Sequence, residues 1–172
     1  LPMDSLPSRI MLVHAESARL THYLGTLSPA AWHHPSACAG WEVGDVVAHL
    51  ARGAEAYIEW ITRGLQGDTL PRRGAPEAGR GEGAASAARR AQRALDVRAR
   101  LGDQLFTAFQ ARVDEFNALA SGLSPQDYAT LCYHPTGLRP VRDFVDLRLT
   151  ELVLHGWDIQ SRLEPEAHLS AA

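Results

Sequence analysis

The sequence predicts an all-α protein built as a four-helix bundle, on three observations. Apolar residues recur at helical intervals through four long segments. No segment shows sustained period-two alternation with β-branched enrichment. The connection between the second and third segments is longer than most loops in compact domains, and a bundle is the fold that can use it as a crossover.

The first helix is placed at Ser8 to Leu27, where Ile10, Val13, Leu20, Leu24 and Leu27 recur on one face, and Ser28-Pro29 ends it. A loop follows through Pro35, Ser36, Cys38, Gly40 and Trp41. The second helix runs from about Val43 to Leu65, with Val46, Val47, Leu50, Ala54, Tyr57, Ile58 and Ile61 on its apolar side. Asp45 lies in its first turn, where a carboxylate opposes the helix dipole favourably. From Gly67 to Gly83 the chain holds five glycines and two prolines, and this stretch reads as a disordered connection. Helical pattern resumes near Ala84 and continues to about Leu119, first Ala/Arg-rich and then through Leu101, Leu105, Phe109, Val113 and Phe116. At ~1.5 Å per residue this third helix would reach ~50 Å, so its start is expected to fray or kink. Ser121-Gly122 ends it and Ser124-Pro125 begins one short turn. Pro135, Gly137 and Pro140 mark a last loop before a fourth helix from Val141 to Leu163.

The long link, at up to ~3.3 Å per residue, can run the full length of a bundle. The second and third helices can then lie parallel, in up-down-down-up order, while the shorter links fit antiparallel neighbours. Residues 1–172 read as a single domain without internal repeats.

Composition narrows the function. The formal net charge of −3 argues against a nucleic-acid partner. No stretch approaches the ~20 apolar residues of a membrane span, and the N-terminus has no signal-peptide pattern, so a cytoplasmic location is expected. All 17 basic residues are arginine, which excludes chemistry that needs a Schiff-base or phosphate-loop lysine. Cys38 and Cys132 are expected to be free thiols.

The last helix carries the most informative pattern. Val141, Phe144, Arg148, Glu151, His155, Asp158 and Arg162 form one stripe in steps of three and four. Val145, Leu149, Leu152, Val153, Leu154, Trp157 and Ile159 flank it, so the helix should be mostly buried. Buried ionisable groups need partners or a metal. Glu151 and His155 could supply a carboxylate oxygen and an imidazole nitrogen to one divalent ion, or form a polar patch satisfied by Arg148 and Asp158. Glu164 and His168 have the same spacing in a Pro- and Ala-containing tail, so spacing alone decides nothing. In the second helix, His49 sits in the apolar run Val46-Val47-Ala48-His49-Leu50 as a core histidine or a third ligand. Asp45 could hold its second ring nitrogen or simply cap the helix.

The segment Pro35-Ser36-Ala37-Cys38-Ala39-Gly40-Trp41-Glu42-Val43-Gly44-Asp45-Val46-Val47-Ala48-His49-Leu50, with Trp32 before it, resembles the mycothiol-dependent maleylpyruvate isomerase N-terminal domains. These belong to the DinB-like metalloenzyme superfamily. Arg148-x-x-Glu151-Leu152-Val153-Leu154-His155-Gly156-Trp157-Asp158 is similar to the same family's last-helix motif. The resemblance implies a DinB-like four-helix bundle holding one divalent metal, usually zinc, through His49, Glu151 and His155. Nickel, iron or manganese would also suit two imidazoles and a carboxylate. The open coordination positions of such a site imply catalysis, with mycothiol as the thiol co-substrate, deprotonated at the metal and aimed at an electrophilic small molecule. Arg148 and Asp158 would position that substrate or tune the ligands. The maleylpyruvate isomerases themselves carry a second, C-terminal domain, and the resemblance points here to thiol S-transfer. A metal-dependent isomerase, lyase or hydrolase using metal-bound water, and a non-catalytic small-molecule-binding or resistance protein, are the competing readings. The expected oligomeric state is a monomer or homodimer.

Cys38 and the four tryptophans, Trp32, Trp41, Trp60 and Trp157, read as packing residues, and Arg52 as a solvated surface arginine.

Overall fold

The computed structural model describes residues 5–169. Helix α1 spans Leu6–Thr26, α2 Val43–Leu65, α3 Ala84–Leu101, α4 Leu105–Ser121 and α5 Val141–Leu163. Short 3-10 turns occupy Pro29–His33, Gly102–Gln104 and Asp127–Ala129, the last where a single turn was expected. A two-residue antiparallel pair, β1 Leu131–Cys132 with β2 Arg139–Pro140, closes the hairpin that leads into α5. Its strands are too short for any alternation to show in sequence.

Each boundary has a local cause. The Ser5 side chain accepts from the Ser8 N–H at the start of α1, and Pro29 stops the chain beyond its end. At the start of α2 the Asp45 carboxylate accepts from the Glu42 N–H at 2.8 Å. Asp45 is therefore a cap, and its other oxygen accepts from Arg98 Nη1 at 2.9 Å. It does not hold His49.

Four rods enclose the core. Arg9 pairs with Asp146 at 3.7 Å and Arg19 donates to Gln160 at 2.9 Å, so α1 and α5 run parallel. His49 meets Glu151 while the later Tyr57 meets the earlier Phe144, so α2 and α5 are antiparallel. Gly25, near the end of α1, backs onto Phe106 at the start of α4, and His14 reaches Ser121 at its end. The rods α1, α2, α4 and α5 thus run up, down, down and up. Their core holds Val13, Leu20, Val47, Leu50, Phe109, Phe116, Phe144 and Leu152, all nearly or fully buried. The link before the crossover does not join side-by-side neighbours: α1 packs on α5 and α4, and α2 on α3, α4 and α5.

The expected single helix from Ala84 to Leu119 is two helices. Gly102 adopts φ +50° and ψ −125°, a conformation closed to side-chain-bearing residues, and breaks the chain there. Only α4 is a core rod. The helix α3 buries just Ser86 and Ala94, and lies on the outside of α2. Its end meets the start of α2 through Arg98 and Asp45, and its beginning lies farther along α2, so it runs antiparallel to α2. The crossover therefore includes a helix that returns the chain to the starting end of α2. Gly102→Ala is expected to lower stability by about 1–3 kcal/mol by forcing a side chain into this conformation, read from the urea midpoint.

The stretch from Gly67 to Gly83, expected to be disordered, is anchored. Tyr133 Oη donates to Pro76 O at 2.6 Å, and Gly79 and Gly81 both donate to Pro135 O, at 3.0 and 2.7 Å. His134 lies in the same hairpin against Trp60 and Phe144. Burial, then the charges of Arg139 and Arg90, push its pKa down to about 4. Between the unfolded value near 6.5 and about 4, the unfolded chain binds the proton that the folded chain refuses. Stability should thus fall on acidification across that window, by on the order of 2 kcal/mol. In His134→Gln this part of the decline should vanish from urea titrations at stepped pH.

Among the described residues no helix is long and apolar enough to cross a membrane.

Candidate metal centre

One turn after its capped start, α2 presents His49, and α5 presents Glu151 and His155 one turn apart. His49 Nε2 lies 2.9 Å from Glu151 Oε2, and His155 Nε2 lies 3.5 Å from the same oxygen. The two imidazoles meet edge to face with centroids 4.9 Å apart. One ligand atom from each of the three residues lies within 4.8 Å of the others. The side chains are 19%, 29% and 21% exposed, so the group is shielded yet reachable. It opens into a cleft of about 360 Å³ walled by Cys38, Trp41, Ala87 and Arg90.

The loop ahead of α2 forms part of that wall because it is tied to both helices. Val43 donates to His34 O, Ser36 to Trp41 O, and Ala37 to the backbone oxygen of Asp158 on α5. Trp41 is thereby held 5.6 Å from the His49 ring.

Charge in the site is organised around Glu151. Burial pushes its carboxyl up, but hydrogen bonds from His155 and His49, and their charges, outweigh burial and hold it well below the usual range. Burial pushes His155 down, and Glu151 and Asp158 more than reverse this, leaving it raised. Asp158 Oδ2 lies 2.8 Å from His155 Nδ1 and accepts from Cys38 Sγ at 3.2 Å. Burial, then Asp158, push the Cys38 thiol up to about 12.

Two imidazoles and one carboxylate, drawn from two rigid helices and open on one side, are a donor set that fits a divalent ion such as zinc. Cys38, His155 and Asp158 form a second compact group, sharing His155 through its other ring nitrogen. A histidine that ligates through Nε2 needs its Nδ1–H held by an acceptor, and Asp158 meets that need.

The expected site residues separate into two places. His49, Glu151, His155 and Asp158 line or adjoin the cleft. Arg148 does not: it is 1% exposed, beneath Glu151 in the core, with Nη1 donating to Leu50 O at 2.9 Å and its guanidinium 5.8 Å from the Phe116 ring centre. It is closed off from any substrate in the cleft. The last helix, expected to be mostly buried, leaves Leu154 and Trp157 48% and 37% exposed. The polar stripe passes from the core at Arg148 to the cleft at Glu151, His155 and Asp158.

Reasoning from sequence missed Cys38, Trp41 and Arg90 as walls of the site. The signal for the first two was their position in the same motif as His49. For Arg90 no motif points to the site, since α3 reaches the cleft only through the tertiary fold. A larger cavity of about 650 Å³ lies at the end of α1, between Trp32, Arg98, Leu105 and Phe106, and none of the three candidate ligands lines it.

Comparison with solved structures gives a TM-score of 0.74 at 17% identity to a mycothiol-dependent maleylpyruvate isomerase, and the same values for a histidine-to-alanine variant of that enzyme. The match covers 90% of this chain and 60% of the isomerase chain. At that identity the likeness establishes the fold. No curated protein matches the sequence. The profile of the mycothiol maleylpyruvate isomerase N-terminal domain matches residues 13–160, which include both motifs and all three candidate ligands. The chain therefore belongs to the mycothiol maleylpyruvate isomerase N-terminal domain family.

Proposed function

We propose that the chain is a divalent-metal-dependent enzyme that uses a low-molecular-weight thiol of the mycothiol class against an electrophilic small molecule. The observation that carries this reading is the convergence of His49, Glu151 and His155 within 4.8 Å at the base of an open cleft. The metal, zinc by the donor set, supplies Lewis acidity that lowers the pKa of a thiol brought to it.

The protein's own groups prepare the site for this. Asp158 accepts from Nδ1 of His155 and so leaves Nε2 as the nitrogen that would hold a metal. Glu151 stays ionised and offers the negative charge that a divalent ion needs. Trp41 and Cys38 line the cleft beside the two imidazoles. Asp158 and Arg148 act in this reading as positioning residues. Asp158 orients His155, and Arg148 sets a cation beneath Glu151. Thiol S-transfer and thiol-assisted isomerisation both start with sulfur attacking an electrophilic carbon, so the same constellation serves either.

The test uses the full chain loaded with zinc, mycothiol as the thiol and iodoacetamide as a neutral electrophile, with free thiol followed over time. The expected result is thiol consumption above the spontaneous rate that requires zinc and falls at least a hundredfold in His49→Ala. Consumption at the wild-type rate in that variant would sink the reading. Asp158→Asn should cost about 10–100-fold in zinc affinity by releasing the His155 ring, measured by competition with a chromogenic chelator.

A further inference from the structure

Beside the triad, three further donor atoms of three different kinds converge. Cys38 Sγ lies 3.2 Å from Asp158 Oδ2 and 3.8 Å from His155 Nδ1, and those two lie 2.8 Å apart. One zinc ion holds sulfur at ~2.3 Å and nitrogen or oxygen at ~2.0–2.2 Å, which sets neighbouring donors roughly 3–4 Å apart. Both separations from sulfur fall in that range. The third is a hydrogen bond whose proton an ion would replace.

The fold builds this group deliberately from two elements. His155 and Asp158 are three residues apart on α5 and share one face. The loop ahead of α2 delivers Cys38 to them. Ala37 N–H donates to the Asp158 backbone oxygen at 2.8 Å, Cys38 N–H to Ser36 Oγ at 3.2 Å, and Trp41 N–H to Cys38 O at 3.0 Å. All three side chains are partly buried, and Cys38 and His155 line the cleft, which gives an ion a way in. Asp158 pairs with no arginine among the described residues, in a chain that carries 17 of them. Its charge is spent instead on a thiol and an imidazole, the two groups that most readily exchange a proton for a metal. Cys132 makes the contrast. It is packed on Gly64, donates to Thr130 O, and belongs to no such group among the described residues.

We propose that Cys38 Sγ, His155 Nδ1 and Asp158 Oδ2 form a second cation site, for a thiophilic divalent ion such as zinc, joined to the triad through the His155 ring. Binding forms three bonds to the ion and breaks S–H and Nδ1–H. Both protons pass to solvent and no electron is transferred. The thiolate, the imidazolate, Asp158 and Glu151 then bring one negative charge each, which matches two divalent ions. With an ion at the triad alone, Asp158 keeps the Nδ1 proton and the second group stays closed by its hydrogen bonds. The second ion fastens the loop that carries Trp41 to α5 and so fixes one wall of the cleft. The site rests on the triad as a metal centre and not on any thiol-transfer activity there.

Cadmium is the probe, because a cadmium–thiolate bond gives an ultraviolet charge-transfer band that the nitrogen and oxygen donors of the triad do not. The full chain, stripped of metal, is titrated with cadmium while the band and the ions bound per chain are followed. Wild type should take two ions, one of which raises the band. Cys38→Ser and Cys38→Ala should take one ion and lose the band, with affinity at the second site down roughly a hundredfold or more. Cys132→Ser should match wild type. His49→Ala should keep the band and lose the other ion. A single ion in wild type, no band, or a band that persists in Cys38→Ser would overturn the site. Loss of the band in His49→Ala would overturn it too, since Cys38 would then be a fourth ligand of the triad's ion. Two ions with a Cys38-dependent band, in a protein that consumes no thiol, would remove the transfer reading and keep the second site. Thiol consumption with no band would do the reverse.

Discussion

Zinc affinity is expected to fall at least a hundredfold in Glu151→Ala, and by a smaller factor in Glu151→Gln. The carboxylate is the only charged ligand of the three, and one of its oxygens lies within reach of both imidazoles, at 2.9 and 3.5 Å. Its removal leaves two neutral nitrogens that repel each other and nothing to balance a divalent charge. Glutamine keeps the shape and an oxygen donor but not the charge. The pH dependence has a fixed sign. Glu151 and Asp158 raise the pKa of His155 in the metal-free protein, so a proton competes with the ion from a higher pH than at a free imidazole. Zinc affinity should therefore drop steadily as pH falls through that raised value, roughly tenfold per pH unit for one displaced proton. Competition titrations between pH 5.5 and 8 would show it. A Glu151→Ala protein that retains wild-type affinity would mean that the ion, if any, is held elsewhere.

His49, Glu151 and His155 stand out in the sequence because each sits inside an apolar helical run. That pattern leaves a core histidine and a satisfied polar patch open, and only the family resemblance joins the three as candidate ligands. His49 lies between Ala48 and Leu50, both fully buried, and Glu151 and His155 flank the buried Leu152. Helical spacing then forces the last two onto one face. What sequence could not show was everything that depends on chain reversal. Periodicity runs from Ala84 to about Leu119, and Gly102, the residue that breaks the helix, lies inside that run. Its positive φ separates a solvated Ala/Arg helix from a core rod, and this alone moves Arg90 to the mouth of the cleft. The scarcity of large apolar residues in the first half of that stretch was the available clue. Cys38 is a similar case. It reads as loop packing until the Ala37 N–H is seen bonded to the Asp158 backbone oxygen, which fastens the loop across α5.

Arg148→Met is expected to raise thermal stability while lowering zinc affinity about 10–100-fold. In the sequence this arginine belongs to the polar stripe as a residue that positions substrate or tunes the ligands, and the fold places it in the interior, away from any substrate. Its Nε and Nη2 have no hydrogen-bond partner, and burial pushes its pKa down to about 10. The contacts it does make are the Leu50 carbonyl, the face of Phe116 and the field of Glu151. A cation so poorly compensated costs the fold more than its one good hydrogen bond returns. Replacement of buried charges by apolar groups of like volume stabilises by about 1–4 kcal/mol in comparable cases. At about 2–4 °C per kcal/mol for a chain of this size, the midpoint should rise by several degrees. Alanine should do the opposite, because the cavity left behind outweighs the relief of the charge. Such a cost persists when it serves a site, and the nearest acid is Glu151, one turn along the same helix. The two charges act on one another through the interior, so methionine removes a cation from the field around Glu151 and is expected to weaken the ion without touching any ligand. Paired melting curves and zinc titrations separate the alternatives. A destabilised Arg148→Met protein with unchanged zinc affinity would make Arg148 a packing residue of the core and nothing more.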